Sequence, residues 1–320
     1  MFSTGLTSGP AQIGPSPLSV RSRRIAQDRH ELQAAKTKIC WSSLGISTQQ
    51  HATESLENNT PTLASSALKR IATAAGPNPT IHLSFTLLYG FTQMDPSATI
   101  YTKLMLRVYD FVVLNLSNRF AWRCSTPKTL IPFYQQHLGE HAHLEAGVGT
   151  GYYPAASVGK LSKTKLVTLL DLNPNTLAMA ETRLSAAGYR GTIETFERSI
   201  FDPLPESTHG KYDSVALYYI FHCLPGAFPE KADKVFQAVI PALAPGGVVF
   251  GSTVLGKECD HNTLSRTMVK LYNKKGMFGN RDDTEANLRK SLEANFHEYD
   301  LRVEGIVALF SARNPKKQKE

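Results

Sequence analysis

LEAGVGTGYYP, residues Leu144–Pro154, sets Gly147, Gly149 and Gly151 at alternate positions directly after a short apolar run. Glycine in every second place builds neither a strand nor a helix well, because each glycine gives up backbone freedom and offers no side chain to pack. The spacing suits a chain that turns sharply and lets another group approach its backbone without a Cβ in the way. Ala142–Ala146, just before the loop, reads as a strand, and a short helix is expected after it.

Working outward, strands and helices alternate. Leu166–Leu170 reads as a second strand. Asn173 caps a helix that has Pro174 at its first position and Gly188 at its end. Ile193–Phe196 and Ser214–Tyr218 read as the third and fourth strands, and a helix follows over Pro229–Leu243. Val248–Ser252 is a fifth strand after the turn Pro245-Gly246-Gly247. Helices are expected over Asn262–Lys274 and Thr284–Asn295. Tyr299–Val303 and Ile306–Ala312 then form a hairpin about Glu304-Gly305. This order predicts an α/β, Rossmann-like, mostly parallel sheet with helices on both faces and a C-terminal antiparallel hairpin. Upstream, Leu104, Val108, Phe111 and Val112 fall at helical spacing, as do Tyr101 and Met105. With a helix over Lys128–Leu138 behind Pro127, they make an N-terminal helical cap. In an open parallel sheet the ligand binds beyond the carboxyl ends of the strands, where strand order reverses. The glycine loop belongs at that place.

Composition narrows the class. The chain has 320 residues, 42% of them hydrophobic, and no window approaches the ~20 apolar residues of a membrane-spanning helix. Its four cysteines, Cys40, Cys124, Cys223 and Cys259, are far apart with no CxxC spacing. That argues against a disulfide framework and a cysteine zinc site, and fits a reducing compartment. Of the +8 net charge, half lies in residues 1–93, which carry eight basic against four acidic side chains. The rest is mildly basic, so nucleic acid is not demanded as a partner. Residues 1–93 are rich in Ser, Thr, Pro, Gly and Gln and read as a disordered extension. The first 27 residues hold three arginines and no acid, a composition shared with mitochondrial transit peptides. A cytoplasmic protein with a plain tail is the expectation, and import into mitochondria the alternative. The packed pattern sets in at Met94, so residues 94–320 are read as the catalytic domain. The oligomeric state is not fixed by the sequence.

Three ligands suit a glycine loop of this kind: a dinucleotide, a nucleoside triphosphate or S-adenosylmethionine. A dinucleotide site asks for GxGxxG, and Tyr152 stands where the third glycine belongs. No GxxxxGK[ST] is present. Instead an acid, Glu145, precedes the first glycine by two residues, and a second acid, Asp171, ends the second strand. A carboxylate there can accept hydrogen bonds from two neighbouring ribose hydroxyls.

The pattern E/DxGxGxG after a first strand, with an acid ending the second, resembles the class I S-adenosylmethionine-dependent methyltransferases. The resemblance covers about residues 98–313. YDFVVLNLSNRFAWRC, EAGVGTGYYP, LLDLNPNTLAMA, FHCLPG and KKGMFGNRDDT are similar to a small-molecule branch found in microbes, including fungal biosynthetic clusters. The resemblance implies a seven-stranded sheet with its last strand antiparallel, and S-adenosylmethionine as cofactor. It implies that Gly147, Gly149 and Gly151, with Ala146, line the methionine and ribose part. Glu145 would brace the loop and favour the cofactor's ammonium. Asp171 would take the ribose hydroxyls, with Leu172 and Asn173 beside the adenine. Where relatives often carry an Asp after the third strand, this chain has Ser199, with Ile200 beside it and Asp202 as the nearest carboxylate. Tyr219 would close the site beyond the fourth strand.

On the acceptor side, His222 is the candidate base. Its bland alternative is a histidine that anchors its loop. Tyr109 and Trp122, with Tyr101, are candidates for an aromatic lid over a small-molecule acceptor, and equally for core packing. No metal ligand set is expected. An RNA methyltransferase using the basic tail stays open, as does a fold of this kind kept as a binding protein or a cyclase that does not transfer the methyl. A chain beginning at Met94 is expected to fold and to bind S-adenosylhomocysteine as tightly as the full chain by calorimetric titration. Insolubility of that shorter chain alone would show that residues 1–93 contribute structure.

Overall fold

The computed structural model describes residues 117–317. Tyr101, Tyr109, the expected helix around them, Met94 and the extension over residues 1–93 lie outside the described residues. The strands, in chain order, are β1 (Ala142–Ala146), β2 (Leu166–Asp171), β3 (Thr192–Glu197), β4 (Tyr212–Tyr218), β5 (Leu243–Val254), β6 (Phe296–Glu304) and β7 (Val307–Pro315). They form one seven-stranded sheet in the order β3-β2-β1-β4-β5-β7-β6. All neighbouring pairs from β3 to β5 are parallel, and β7 runs antiparallel between β5 and β6. The expected hairpin is therefore present, with its second strand inserted inward beside β5. Gly305 turns it with φ +62°.

Every residue of β1 is buried, which places it in the middle of the sheet with both faces covered. Alternate residues then serve opposite layers. Leu144 and Ala146 face a cluster that includes Ala232, Val235, Phe236 and Val239 of α5 (Glu230–Val239) and Leu288 and Leu292 of α7 (Glu285–Asn295). The α5 positions repeat at i, i+3, i+4 and i+7, the apolar stripe of a core-facing helix. His143 and Glu145 face the other layer. That layer holds α1 (Ile131–Gln136), α2 (Tyr152–Ala156), α3 (Val158–Leu161), α4 (Pro174–Ala186) and α6 (Thr263–Lys274). On α4, Leu177, Ala180 and Leu184 pack on Val167 and Leu169 of β2.

Two expectations of element boundary change. The helix expected over Lys128–Leu138 begins as a π-type turn, Thr126–Leu130, and becomes α-helical only from Ile131 to Gln136. Pro132 has no N–H to give to the carbonyl one turn back, so the first turns use wider bonds, such as Leu130 N–H to Ser125 O at 3.0 Å. The fifth strand starts earlier than Val248. Leu243 already pairs with Tyr212, and the turn Pro245-Gly246-Gly247 is absorbed as an irregularity before Val248 pairs with Ser214.

One buried ion pair ties this framework together. Lys231 Nζ on α5 lies 2.6 Å from Asp283 Oδ2, and both side chains are fully buried. Lys231 also donates to Gly279 O (3.1 Å), and Asp283 Oδ1 accepts from Phe228 N–H (3.2 Å). Burial pushes the Lys231 ammonium down and the Asp283 carboxyl up, each against the pull of its partner's charge. Removing one member leaves the other charge without its counterion. Asp283→Ala is expected to cost about 3–5 kcal/mol in denaturant unfolding. The double variant Lys231→Met/Asp283→Leu, which buries no charge, should recover most of that loss.

Candidate functional site

The direction of crossover reverses between β1 and β4, which are neighbours in the sheet. Their carboxyl ends therefore open the crevice in which ligands of such sheets bind. From β1 the chain enters Gly147 (φ +69°), Gly149 (φ +54°) and Gly151 (φ +67°). All three are left-handed, which explains the alternate glycines locally. At two of them the close neighbour is the protein itself. A Cβ on Gly147 would stand 2.6 Å from Ile220 Cδ1, and one on Gly151 would stand 2.9 Å from the Cα of Ala180 on α4. Gly151 thus gives the close loop-to-helix packing for which the dinucleotide pattern reserves a later glycine. Tyr152 at that later place packs its ring under Arg183, at 5.4 Å.

From β4 the chain enters Tyr219, which holds φ +54° although it carries a large side chain. A residue held there costs of order 1–3 kcal/mol and persists only where its surroundings fix it. Here Tyr219 Oη donates to Asn118 Oδ1 (3.0 Å), and Asn118 Nδ2 donates to Thr126 Oγ1 (2.8 Å). Its ring stacks on Tyr153, centroids 6.2 Å apart and planes 13° apart. The strained turn swings Ile220 into the space beside Gly147. The two loops at the crevice are built against each other.

Asp171 closes β2 and is 5% exposed. Its Oδ1 accepts the Asn173 N–H at 3.0 Å, and the backbone N–H groups of Gly149 and Leu172 also reach the carboxylate. Burial pushes this carboxyl up to about 6, against the pull of those three amides. Asn173 is the helix cap, with Oδ1 accepting the Asn175 N–H at 3.0 Å, so Asp171 is not needed for that task. Three amides leave the carboxylate an acceptor position for a hydroxyl donor. The bond from Gly149 also places that carboxylate directly against the glycine loop. Leu172 and Asn173 are half-buried beside it.

Beyond β3, Arg198 N–H donates to Asp171 O (3.1 Å), which brings Ser199 and Ile200 to the same end of the sheet, both buried. Ser199 Oγ accepts the Phe201 N–H at 3.2 Å, so its hydroxyl serves its own turn. Glu145, 2% exposed, sits on β1 with Oε2 accepting from Tyr134 Oη at 2.5 Å and lying 3.1 Å from His143 Nε2. Burial, with the Glu145 charge behind it, holds the Tyr134 hydroxyl well above its ordinary value, so Tyr134 keeps its proton.

His222 follows β4 in the short turn Phe221–Cys223 and is buried. Its anchoring bond is made by its main chain, whose carbonyl accepts from Gly279 N–H at 2.7 Å. The ring stands edge-on to Tyr219 and Phe278, with Nδ1 3.5 Å from Thr253 Oγ1. Burial, with the Lys231 charge added, lowers the imidazole to about 3. His222 is therefore neutral near pH 7. Trp122 is 5% exposed, its ring 6.2 Å from Phe278 and its carbonyl bonded to Ile306 N–H. Phe278 thus brings Trp122 and His222 onto one aromatic wall.

The sequence reading missed Tyr134, His143, Asn118 and Ile220. His143 carried a signal, since two residues before Glu145 on a strand means the same face. The other three meet the site only through tertiary contact.

Residues 144–249 match the methyltransferase domain family. The chain is 36% identical over 233 residues to methyltransferase verB of Penicillium polonicum, covering 69% of this chain and 100% of that one. It is 36% identical over 225 residues to the physcion biosynthesis cluster O-methyltransferase of Aspergillus chevalieri, covering 70% and 98%. It is 36% identical over 212 residues to the demethylluteothin O-methyltransferase of Streptomyces thioluteus, covering 66% and 88%. The switch-point crevice, the left-handed glycine loop and the buried carboxylate ending β2 are compatible with these matches, and the chain belongs to the S-adenosylmethionine-dependent methyltransferases.

Proposed function

We propose that the chain transfers a methyl group to an oxygen of a small molecule in a biosynthetic pathway. Several relatives that match it along most of their length are O-methyltransferases, one of them of a named biosynthesis cluster. The observation that carries the cofactor's placement is Asp171. It is a buried carboxylate at the end of β2, bonded to the Gly149 amide, with acceptor capacity left for ribose hydroxyls. The cofactor supplies an activated methyl group on a sulfonium sulfur. The chain's own residues have to bind, orient and exclude water, because positioning contributes most of the rate in an in-line displacement. On this reading Ala146, Gly147, Gly149 and Gly151 give the loop its path along the amino-acid and ribose part. Leu172, Asn173, Ser199 and Ile200 bound the adenine, and Tyr219 closes the crevice.

His222 acts here as a neutral hydrogen-bond acceptor that orients the acceptor hydroxyl. A group lowered to about 3 does not hold a proton at neutral pH. Trp122 belongs to the wall behind that acceptor, and Tyr109, outside the described residues, stays a candidate for the lid over it or for core packing. The domain that carries all this is taken to begin near Met94. Ser199 Oγ accepts the Phe201 N–H of its own turn, and no observation favours a non-methylating reading.

Asp171→Ala should weaken S-adenosylhomocysteine by about ten- to hundredfold in calorimetry, since one charge-assisted bond contributes about 1.5–3 kcal/mol. Asp171→Asn should lose less. In the wild type, hydroxyl donors favour the ionised carboxylate, so affinity should rise with pH through about 6 and level off above it. The rise should vanish in Asp171→Asn. Unchanged binding in Asp171→Ala would move the ribose away from β2. His222→Ala should keep cofactor affinity and lower kcat for methyl transfer to a hydroxylated acceptor. The wild-type kcat profile should show no His222 inflection between about pH 5 and 8.

A further inference from the structure

Behind the glycine loop lies a chain of buried hydrogen bonds whose directions can be worked out. His143 Nε2 stands 3.1 Å from Glu145 Oε2 and 3.1 Å from Tyr134 Oη. Without a proton, Nε2 would set a lone pair against a carboxylate, so the proton is on Nε2 and points to Glu145. Ser214 Oγ accepts the Gly139 N–H at 2.9 Å and lies 2.8 Å from His143 Nδ1. Ser214 thus holds the imidazole from behind, in the orientation that aims Nε2 at Glu145. Tyr134 Oη donates to Glu145 Oε2 at 2.5 Å. Among the described residues, both hydrogen bonds that reach the Glu145 carboxylate thus end on the same oxygen. Tyr218 on β4 is the other titratable group whose interaction with Glu145 is felt, and it gives its hydroxyl to Leu130 O at 2.8 Å.

We propose that Tyr134 and His143 are positioning residues that hold the Glu145 carboxylate with Oε2 tied inward, so that it is aimed at the ammonium of the cofactor's amino-acid end. The proposal rests on the glycine loop being the site of that end, as argued above. The physical need is plain. Glu145 is 2% exposed, and a carboxylate so placed keeps its charge only where donors replace the water it has lost. Two donors from one side answer that need and fix the plane of the carboxylate. Stripped of one donor, the carboxylate is free to turn out of that plane, and a cation at the loop loses its aimed partner. Gly147 follows two residues later on the same strand end, so the charge lies beside the loop's first left-handed turn.

The test compares two ligands of the wild type and three variants of the full chain by calorimetry, with melting temperatures recorded. S-adenosylhomocysteine carries the ammonium, and 5′-deoxy-5′-methylthioadenosine keeps the adenosine and lacks it. Tyr134→Phe should weaken the first about tenfold, or about 1.4 kcal/mol, and leave the second unchanged. His143→Leu should do the same, and His143→Gln, which keeps an N–H donor near Nε2, should restore the affinity. Tyr134→Phe binding S-adenosylhomocysteine as the wild type does, or losing both ligands in equal proportion, overturns the proposal and leaves the cofactor reading standing. A wild type that binds neither ligand overturns both. Should Tyr134→Phe not fold, the two His143 variants make the same comparison, and equal behaviour of Leu and Gln there overturns it.

Discussion

A carboxylate on the central strand of a fully covered sheet sets a condition that the surrounding structure has to meet. Glu145 has neighbours on both sides, Leu169 of β2 and Ala216 of β4, and is 2% exposed. Its donors must come from the layer above. That layer is arranged accordingly. α1 crosses the sheet so that Tyr134 points down among Tyr153, Tyr218 and Phe250, with ring centroids 5.1–6.0 Å from its own. These rings are large apolar bodies that exclude water, and the hydroxyl of Tyr134 is a polar tip that needs a partner when buried. The aromatic cluster and the charge it surrounds therefore depend on each other. Docking of α1 is what makes the end of β1 habitable for an acid.

The same economy governs the crevice. Gly147 and Tyr219 are both left-handed, one at no steric cost and one at some. They are opposite walls of one opening, and Ile220 fills the gap between them. Strain at Tyr219 is held by a polar chain through Asn118 and Thr126, so the segment that precedes α1 is part of the site although no residue of it is on the sheet.

Much of this was legible in the sequence wherever the signal was local. The limits of β1 were read correctly because an apolar run stops abruptly at glycine. Asp171 was found because it ends a strand just before the Asn173-Pro174 helix start, and the hairpin because Glu304-Gly305 separates two alternating runs. Misread boundaries have equally physical causes. Pro132 distorts the first turns of its helix, and the glycines at 246 and 247 look like a turn but lie in an irregular strand. What could not be read is contact between distant segments. Nothing near Gly147 announces Ile220, and nothing near Glu145 announces Tyr134. The glycine loop suggested a ligand close to its backbone, whereas at Gly147 and Gly151 the demand for a missing side chain is already explained by the protein.

The inward placement of β7 has a consequence for assembly. Val307–Pro315 pairs with β5 along Val249–Val254, and β6 joins the sheet only through β7. Until that segment arrives, β5 is an open edge with unpaired N–H and C=O groups, flanked by some of the most apolar residues in the chain, Val248, Val249 and Phe250. Phe310 then lands on the aromatic stack of Phe221 and Phe236, so the same event that covers the edge also fills the core under the acceptor side. The pairing is non-local for the sheet but local for the hairpin. β6 and β7 can form first and dock as a unit, which shortens the time a sticky edge is exposed during folding.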